Sequence, residues 1–196
     1  YSDWQPDHAS FRETLDGGQA FCWHAIDKAT FEGVVLSIPL RLTWKSGHEV
    51  LWSTIEGLES KAATFLSEYI GQNSTHQKYY DTLPWRSDTH LKRCMDEFPA
   101  LRILRQPPGE TLLGFLCSAT KQIVQIKEML NLLRVRFGTE LPSGHKALPS
   151  WNQLLQVEEI SLRGCKFGFR AANICKTAKL LEKSENLLHS PIALLY

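Results

Sequence analysis

The stretch Phe31-Glu32-Gly33-Val34-Val35-Leu36-Ser37-Ile38-Pro39-Leu40-Arg41-Leu42-Thr43-Trp44 decides the class of fold. It is crowded with aromatic and β-branched residues, which suit a pleated, half-buried surface better than a helix. The same bias extends outward from Ala20 to Thr54, through Phe21, Trp23, Ile26, Val50, Leu51 and Trp52. Glycines at Asp16-Gly17-Gly18, Glu32-Gly33 and Ser46-Gly47 stand where a chain reversal calls for positive φ. Together they predict an antiparallel meander of about four or five short strands. From Ser60 to Ile70 the spacing turns helical, with Ala63, Phe65, Leu66, Tyr69 and Ile70 sharing one broad face. The first half is thus expected to be a sheet packed with a helix.

Beyond Pro84-Trp85 the chain reads as helices separated by short breaks. A short helix spans His90 to Phe98. Pro107-Pro108-Gly109-Glu110 opens a second, because proline suits the first turn and a glutamate there complements the helix dipole; it runs to about Cys117. Ile123, Val124, Ile126, Met129, Leu130, Leu133 and Phe137 recur at helical spacing and predict a third, with Thr120 or Ser118 as its N-cap. Gly138 to Pro149 is a Gly/Pro-rich loop. Short helices follow over Ser150 to Val157 and Glu158 to Arg163, and a longer one over Phe169 to Glu182. The expected fold class is α+β, with an antiparallel sheet domain over 1–97 and a helical domain over 98–196.

The chain has 196 residues, of which 43% are apolar and 22% charged. That is ordinary globular usage, which excludes disordered, collagen-like and coiled-coil classes. No apolar run approaches the roughly 20 residues of a bilayer span, so no membrane helix is expected. The opening Tyr1-Ser2-Asp3-Trp4-Gln5-Pro6 has neither the basic nor the apolar region of a secretory signal. It also lacks an initiator Met, so the true start is expected to lie elsewhere. The net charge of +1 hides an asymmetry: residues 1–97 carry 9 Lys+Arg against 14 Asp+Glu, and residues 98–196 carry 13 against 7 Glu and no Asp. A polyanion is therefore expected to dock mainly on the C-terminal half. Cys22, Cys94, Cys117, Cys165 and Cys175 form no CxxC pair and read as reduced thiols of an intracellular protein. The histidines show no ligand spacing, so neither a metal nor a cofactor is expected.

Three segments hold residue types that can do chemistry. In Asp16-Gly17-Gly18-Gln19-Ala20-Phe21-Cys22-Trp23, paired glycines let the backbone approach a flat ligand, and Phe21 or Trp23 can offer a stacking face. A hairpin turn leading into a core strand accounts for the same letters. In Cys117-Ser118-Ala119-Thr120-Lys121-Gln122-Ile123-Val124-Gln125-Ile126, a helix start offers backbone N–H groups, a cation and two amides to a phosphate or base edge. The alternative is a plain exposed helix start. Cys117 has no His and Asp arrangement to make it a nucleophile and reads as a buried structural cysteine. In Gly164-Cys165-Lys166-Phe167-Gly168-Phe169-Arg170-Ala171-Ala172-Asn173, Gly168 can end one turn while Phe169 and Arg170 project from the next helix. Phe169 as ordinary core is the competing reading.

Taken in order, these segments resemble the 8-oxoguanine DNA glycosylases of the helix-hairpin-helix superfamily. The resemblance rests on Gly18-Gln19-Ala20-Phe21-Cys22-Trp23, which is similar to a Gly-Gln-x-Phe-x-Trp run, and on Leu104-Arg105-Gln106-Pro107-Pro108, similar to Leu-Arg-Gln-x-Pro. It continues through Cys117 to Ile123, a Cys-Ser-x-x-x-x-Ile turn, and Gly168-Phe169-Arg170-Ala171, a Gly-Tyr/Phe-Arg-Ala turn. The implied fold is a TBP-like antiparallel domain followed by the beginning of a helix-hairpin-helix glycosylase domain.

The resemblance implies base-excision repair of duplex DNA, in which a damaged purine is flipped out of the stack. The implied partner is double-stranded DNA holding that purine, bound by a monomer. Gly18, Gln19 and Phe21 would recognise the base, with the Gly18 carbonyl accepting the N7 hydrogen that marks 8-oxoguanine. Phe169 would wedge into the stack, while Thr120, Gln125 and Arg170 would read the orphaned cytosine, and Lys121, Gln122 and Lys166 would contact DNA. The chain departs from the family at Thr120, where asparagine is usual, and at Gln125, where arginine is usual. Family catalysis uses a lysine that forms a Schiff base with the sugar C1′, together with an aspartate, both at a Gly-rich hairpin. No such hairpin follows Leu180-Leu181, so the chain is expected to be a piece that stops short of it. Two alternatives keep the same segments: a noncatalytic reader of damaged DNA, and an alkylpurine glycosylase.

Overall fold

The computed structural model describes residues 3–71 and 73–183. The chain divides into two compact units, Tyr1–Gln106 and Pro107–Tyr196. The first carries α1 (His8–Asp16), β1 (His24–Ala25), β2 (Thr30–Val35), β3 (Ile38–Lys45), β4 (Glu49–Ser53), α2 (Glu59–Ile70), α3 (Asn73–Thr82) and α4 (Thr89–Glu97). The second carries α5 (Pro108–Ser118), α6 (Ile123–Phe137), α7 (Trp151–Leu154), α8 (Glu159–Arg163) and α9 (Arg170–Glu182). The fold is α+β. No described helix is long and apolar enough to cross a membrane.

The four strands form an antiparallel meander in the order β1-β2-β3-β4. Phe31 pairs with Leu42 across β2 and β3, and Leu42 with Trp52 across β3 and β4. Two of the expected glycines have positive φ, Gly18 (97°) ahead of the sheet and Gly47 (95°) between β3 and β4. Gly33 is no turn. It lies inside β2, where a Cβ would stand 2.9 Å from both the Cys22 carbonyl oxygen and Trp23 Cε3. Glycine there lets Trp23 approach the strand closely. The β2–β3 reversal is made by Leu36 (φ 47°) and Ser37 (φ 63°), two residues that do not advertise a left-handed turn.

The sheet packs its apolar face on α1 and α2, gathering Trp4, Phe11, Trp23, Phe31, Leu42 and Tyr69 into one core. The helix α1 was not expected. Its buried face is Ser10, Phe11, Thr14 and Leu15, half of it polar, so no apolar period marks it in the sequence. Asp7 caps it by accepting from the Ser10 N–H at 2.9 Å.

The polar half of that face serves the segment 98–106. Ala100 N–H donates to Ser10 Oγ at 3.3 Å and Arg102 N–H to Thr14 Oγ1 at 3.1 Å. Trp4 Nε1–H donates to the Ala100 carbonyl at 2.8 Å, and Arg105 N–H to the Tyr69 carbonyl at 2.8 Å. The second unit therefore begins at Pro107 rather than at residue 98, because these bonds make the connecting segment a strap of the first unit.

In the second unit α9 packs against α5, α7 and α8, and α5 against α6. Phe167, Leu162, Ile174, Leu133 and Cys117 are buried there. Ser150 and Gln153 cap α7 reciprocally: Ser150 Oγ accepts from Gln153 N–H at 3.2 Å and Gln153 Oε1 from Ser150 N–H at 2.8 Å. The expected end of the chain before a catalytic hairpin falls on 184–196, outside the described residues.

Candidate nucleic-acid interface

In the first unit, Gly18 (φ 97°) turns the chain between the end of α1 and the run toward β1. Gln19 follows, and its side-chain amide makes three bonds to the backbone. Nε2 donates to the carbonyls of Thr14 at 2.9 Å and Arg102 at 2.8 Å, while Oε1 accepts from Leu104 N–H at 3.0 Å. The Gln106 amide returns a bond to the Gln19 carbonyl. Two motifs read separately in the sequence, Gly18-Gln19 and Arg105-Gln106-Pro107, are thus one hydrogen-bonded object. The Gln19 side chain is spent on holding the Gly18 turn, so what this stretch presents outward is backbone. Phe21 is half-buried and remains able to lie against a planar ligand. Trp23 does not: it is fully buried, and its indole donates to the Tyr69 hydroxyl at 3.2 Å.

The second unit brings together the other two segments. The chain leaves α5 through a turn closed by Lys121 N–H donating to the Ser118 carbonyl at 3.0 Å. Thr120 sits in that turn at φ 56°, a left-handed conformation that is strained for a β-branched residue. Because the turn extends through Lys121, neither Thr120 nor Ser118 is the N-cap of α6. Gln122 takes that place, with its backbone N–H donating to Gln125 Oε1 at 3.2 Å. Thr120, Gln122 and Gln125 are exposed and Lys121 is half-buried. Cys117 beneath them is fully buried, which pushes its thiol up to about 12 against the pull of the nearby Arg170 charge. It is a packing residue rather than a nucleophile.

The turn between α8 and α9 holds two more left-handed residues, Lys166 (φ 67°) and Gly168 (φ 56°). They set neighbouring aromatics to opposite fates: Phe167 is fully buried, whereas Phe169 is 60% exposed at the start of α9. Lys166 forms an ion pair with Glu128 of α6. Arg170, expected at the DNA surface, is only 4% exposed. Its Nη2 donates to the Ala119 carbonyl and, at 2.9 Å, to Thr120 Oγ1. Its guanidinium lies 4.4 Å from the centre of the Phe169 ring. Its Nη2 is thus turned inward on the 119–120 turn. Glu128 and Gln106 went unnoticed as partners; Gln106 carried a signal in its place beside Pro107, and Glu128 carried none.

The chain is similar to known proteins in sequence and in fold. The family described as 8-oxoguanine DNA glycosylase, N-terminal domain, matches residues 4–112, more than half of the chain. The chain belongs to the 8-oxoguanine DNA glycosylase family. An N-glycosylase/DNA lyase of Saccharomyces cerevisiae is 29% identical over 130 residues, which cover 64% of this chain and 34% of that protein. The 8-oxoguanine glycosylase/lyase of Clostridium acetobutylicum in its apo form superposes with a TM-score of 0.78 at 28% identity, covering 91% of this chain and 62% of that one. Its complex with double-stranded DNA containing cytosine opposite 8-oxoguanine gives 0.77 at 28% identity, covering 91% and 61%. The chain therefore spans about a third of the yeast relative and under two thirds of the bacterial one.

Proposed function

We propose that this chain is the damage-reading part of an intracellular DNA glycosylase and apurinic-site lyase that removes 8-oxoguanine from duplex DNA. The observation that carries the proposal is Phe169. Phe169 is 60% exposed beside a left-handed turn while Phe167, two residues before it, is fully buried, so its ring is available to a partner. It gains its stacking partner when a duplex is opened beside it. The fold it stands on is shared, at 28% identity, with a glycosylase/lyase solved on 8-oxoguanine DNA.

In this mechanism Phe169 wedges into the stack beside the extruded base. Thr120, Lys121, Gln122 and Gln125 line the gap, and Lys166 exchanges Glu128 for a phosphate. The Gly18 carbonyl, held by Gln19, accepts the N7 hydrogen that 8-oxoguanine carries and guanine lacks, while Phe21 supplies a flat face. The glycosidic bond is broken by a lysine amine attacking C1′, and the resulting Schiff base permits β-elimination. Residues 97–196 contain no Asp, so the family's assisting aspartate is not among them. No lysine described here is assigned that attack.

Fluorescence anisotropy with duplexes carrying 8-oxoguanine or guanine opposite cytosine tests the proposal. Tighter binding to the lesion is expected, and equal affinity would sink it. Borohydride with the 8-oxoguanine duplex should trap no covalent adduct on these 196 residues; an adduct would place the nucleophilic lysine inside them. Preference for a 3-methyladenine duplex would move the assignment to alkylpurine repair.

A further inference from the structure

We propose that Arg170 is a positioning residue, which locks the strained 119–120 turn to the start of α9 and sets the Phe169 ring in the pose that enters a duplex. The proposal rests on the reading of Phe169 as a stacking wedge.

The guanidinium is planar, and one side chain meets three things at once. Its edge donates to the Ala119 carbonyl and to Thr120 Oγ1, and its charge lies over the face of Phe169 at 4.4 Å. Bonding in the plane and stacking across it are compatible only for a flat, delocalised cation. Residues 119 and 170 are far apart in sequence, so these bonds fix one turn against another rather than closing a local loop. Thr120 holds a conformation that threonine avoids, and such strain persists only where surrounding structure over-determines it. Arg170 is the partner that holds it, through the Thr120 hydroxyl and the Ala119 carbonyl.

Burial completes the case. At 4% exposure, with Nε buried and without a hydrogen-bond partner, Arg170 is placed at a cost that a residue serving only as a surface cation would not bear. The arrangement also restrains the wedge. A phenylalanine joined to a helix start by two rotatable bonds samples several rotamers in water. A guanidinium against one face removes some of them before DNA arrives, so less ordering entropy is lost on insertion.

The test pairs Arg170→Lys, which keeps the charge but loses the plane, with Arg170→Met, which loses both. The probe is an 8-oxoguanine duplex with 2-aminopurine beside the orphaned cytosine, whose fluorescence rises on unstacking. Both variants should lose at least about five-fold of that rise, while the slope of log affinity against log salt stays at the wild-type value. In a Phe169→Ala background, Arg170→Lys should cause no further loss, because the residue it positions is gone. Without DNA, Arg170→Lys should speed exchange of the Lys121 amide, which closes the turn on Ser118.

Three results would overturn the proposal. One is a slope reduced by about one in Arg170→Met and restored in Arg170→Lys, the mark of a phosphate contact. Another is additive loss in the double variant. The third is unchanged Lys121 exchange. A wild-type chain that gives no 2-aminopurine rise would overturn the Phe169 reading and the wedge-setting half of this proposal, leaving the exchange rate to decide whether Arg170 holds the turn.

Discussion

The stretch around Gly18 and the pair of turns around Thr120 and Gly168 solve opposite problems. Around Gly18 the backbone is stitched down. Gln19, Gln106, Thr14 and Ser10 use their side chains to satisfy neighbouring backbone groups, and the left-handed position is a glycine. Around Thr120 and Lys166 left-handed backbone is imposed on residues that resist it, and an aromatic is left in water. The first region is built to hold one shape, which suits the base-reading role proposed for the Gly18 carbonyl. The second stores unfavourable conformation and exposure that a partner can relieve. Of these two regions, the one around Gly18 is held by side-chain bonds and the other carries left-handed non-glycine residues.

If the first region is stitched, cutting its hub should cost the most. Gln19→Leu leaves the Thr14 and Arg102 carbonyls and the Leu104 N–H without their partner. A loss of about 3 kcal/mol is expected in urea unfolding of the first unit; a change under about 1 kcal/mol would mean the strap is not held there. Gly33→Ala should follow at about 2 kcal/mol, from overpacking against Trp23 and the Cys22 carbonyl. Tryptophan emission is a convenient monitor, since Trp23 lies at the contact.

If the second region is strained, easing it should stabilise. Thr120→Asn keeps an acceptor for Arg170 and suits the left-handed region, so a gain of up to about 1 kcal/mol is expected. Slower exchange of the α6 amides would report it, and faster exchange would show that threonine is preferred at this turn.

The smallest effect expected is one of pH, in the first unit. Burial, with the Arg102 charge second, lowers His76 from 6.5 to about 4. The unfolded chain binds a proton between those values that the folded chain refuses. The contribution is therefore fully present above pH 6.5 and is lost as pH falls toward 4. His76→Gln should flatten the acid limb of stability between pH 7 and 5, and an unchanged limb would assign it to other groups.

Much of the architecture was legible because it rests on period and punctuation. The sheet, α2, and α5 to α9 follow from strand-forming residues, apolar spacing and the Pro107-Pro108 opening. What escaped did so for physical reasons. The helix α1 hides because Ser10 and Thr14 face inward to serve a strap that lies far along the chain. In α3 (Asn73–Thr82) the residues are largely polar, and no apolar stripe announces a helix. The Leu36-Ser37 reversal uses residues that turns seldom select, and Gly33 imitates a turn because a close-packed indole and a reversal both exclude a Cβ. In the candidate segments the motif letters carried no sign of burial. Only geometry separated Phe167 from Phe169 and turned Arg170 from a surface cation into a buried one.

The strap also bears on how this protein can be dissected. A fragment stopping at Glu97 would be made with an open seam: an indole, two hydroxyls and the Gln19 amide would face solvent where a neighbouring chain segment belongs. Anyone expressing the first unit by itself should carry it through Gln106, and insertions meant to loosen the junction will be tolerated best after that residue.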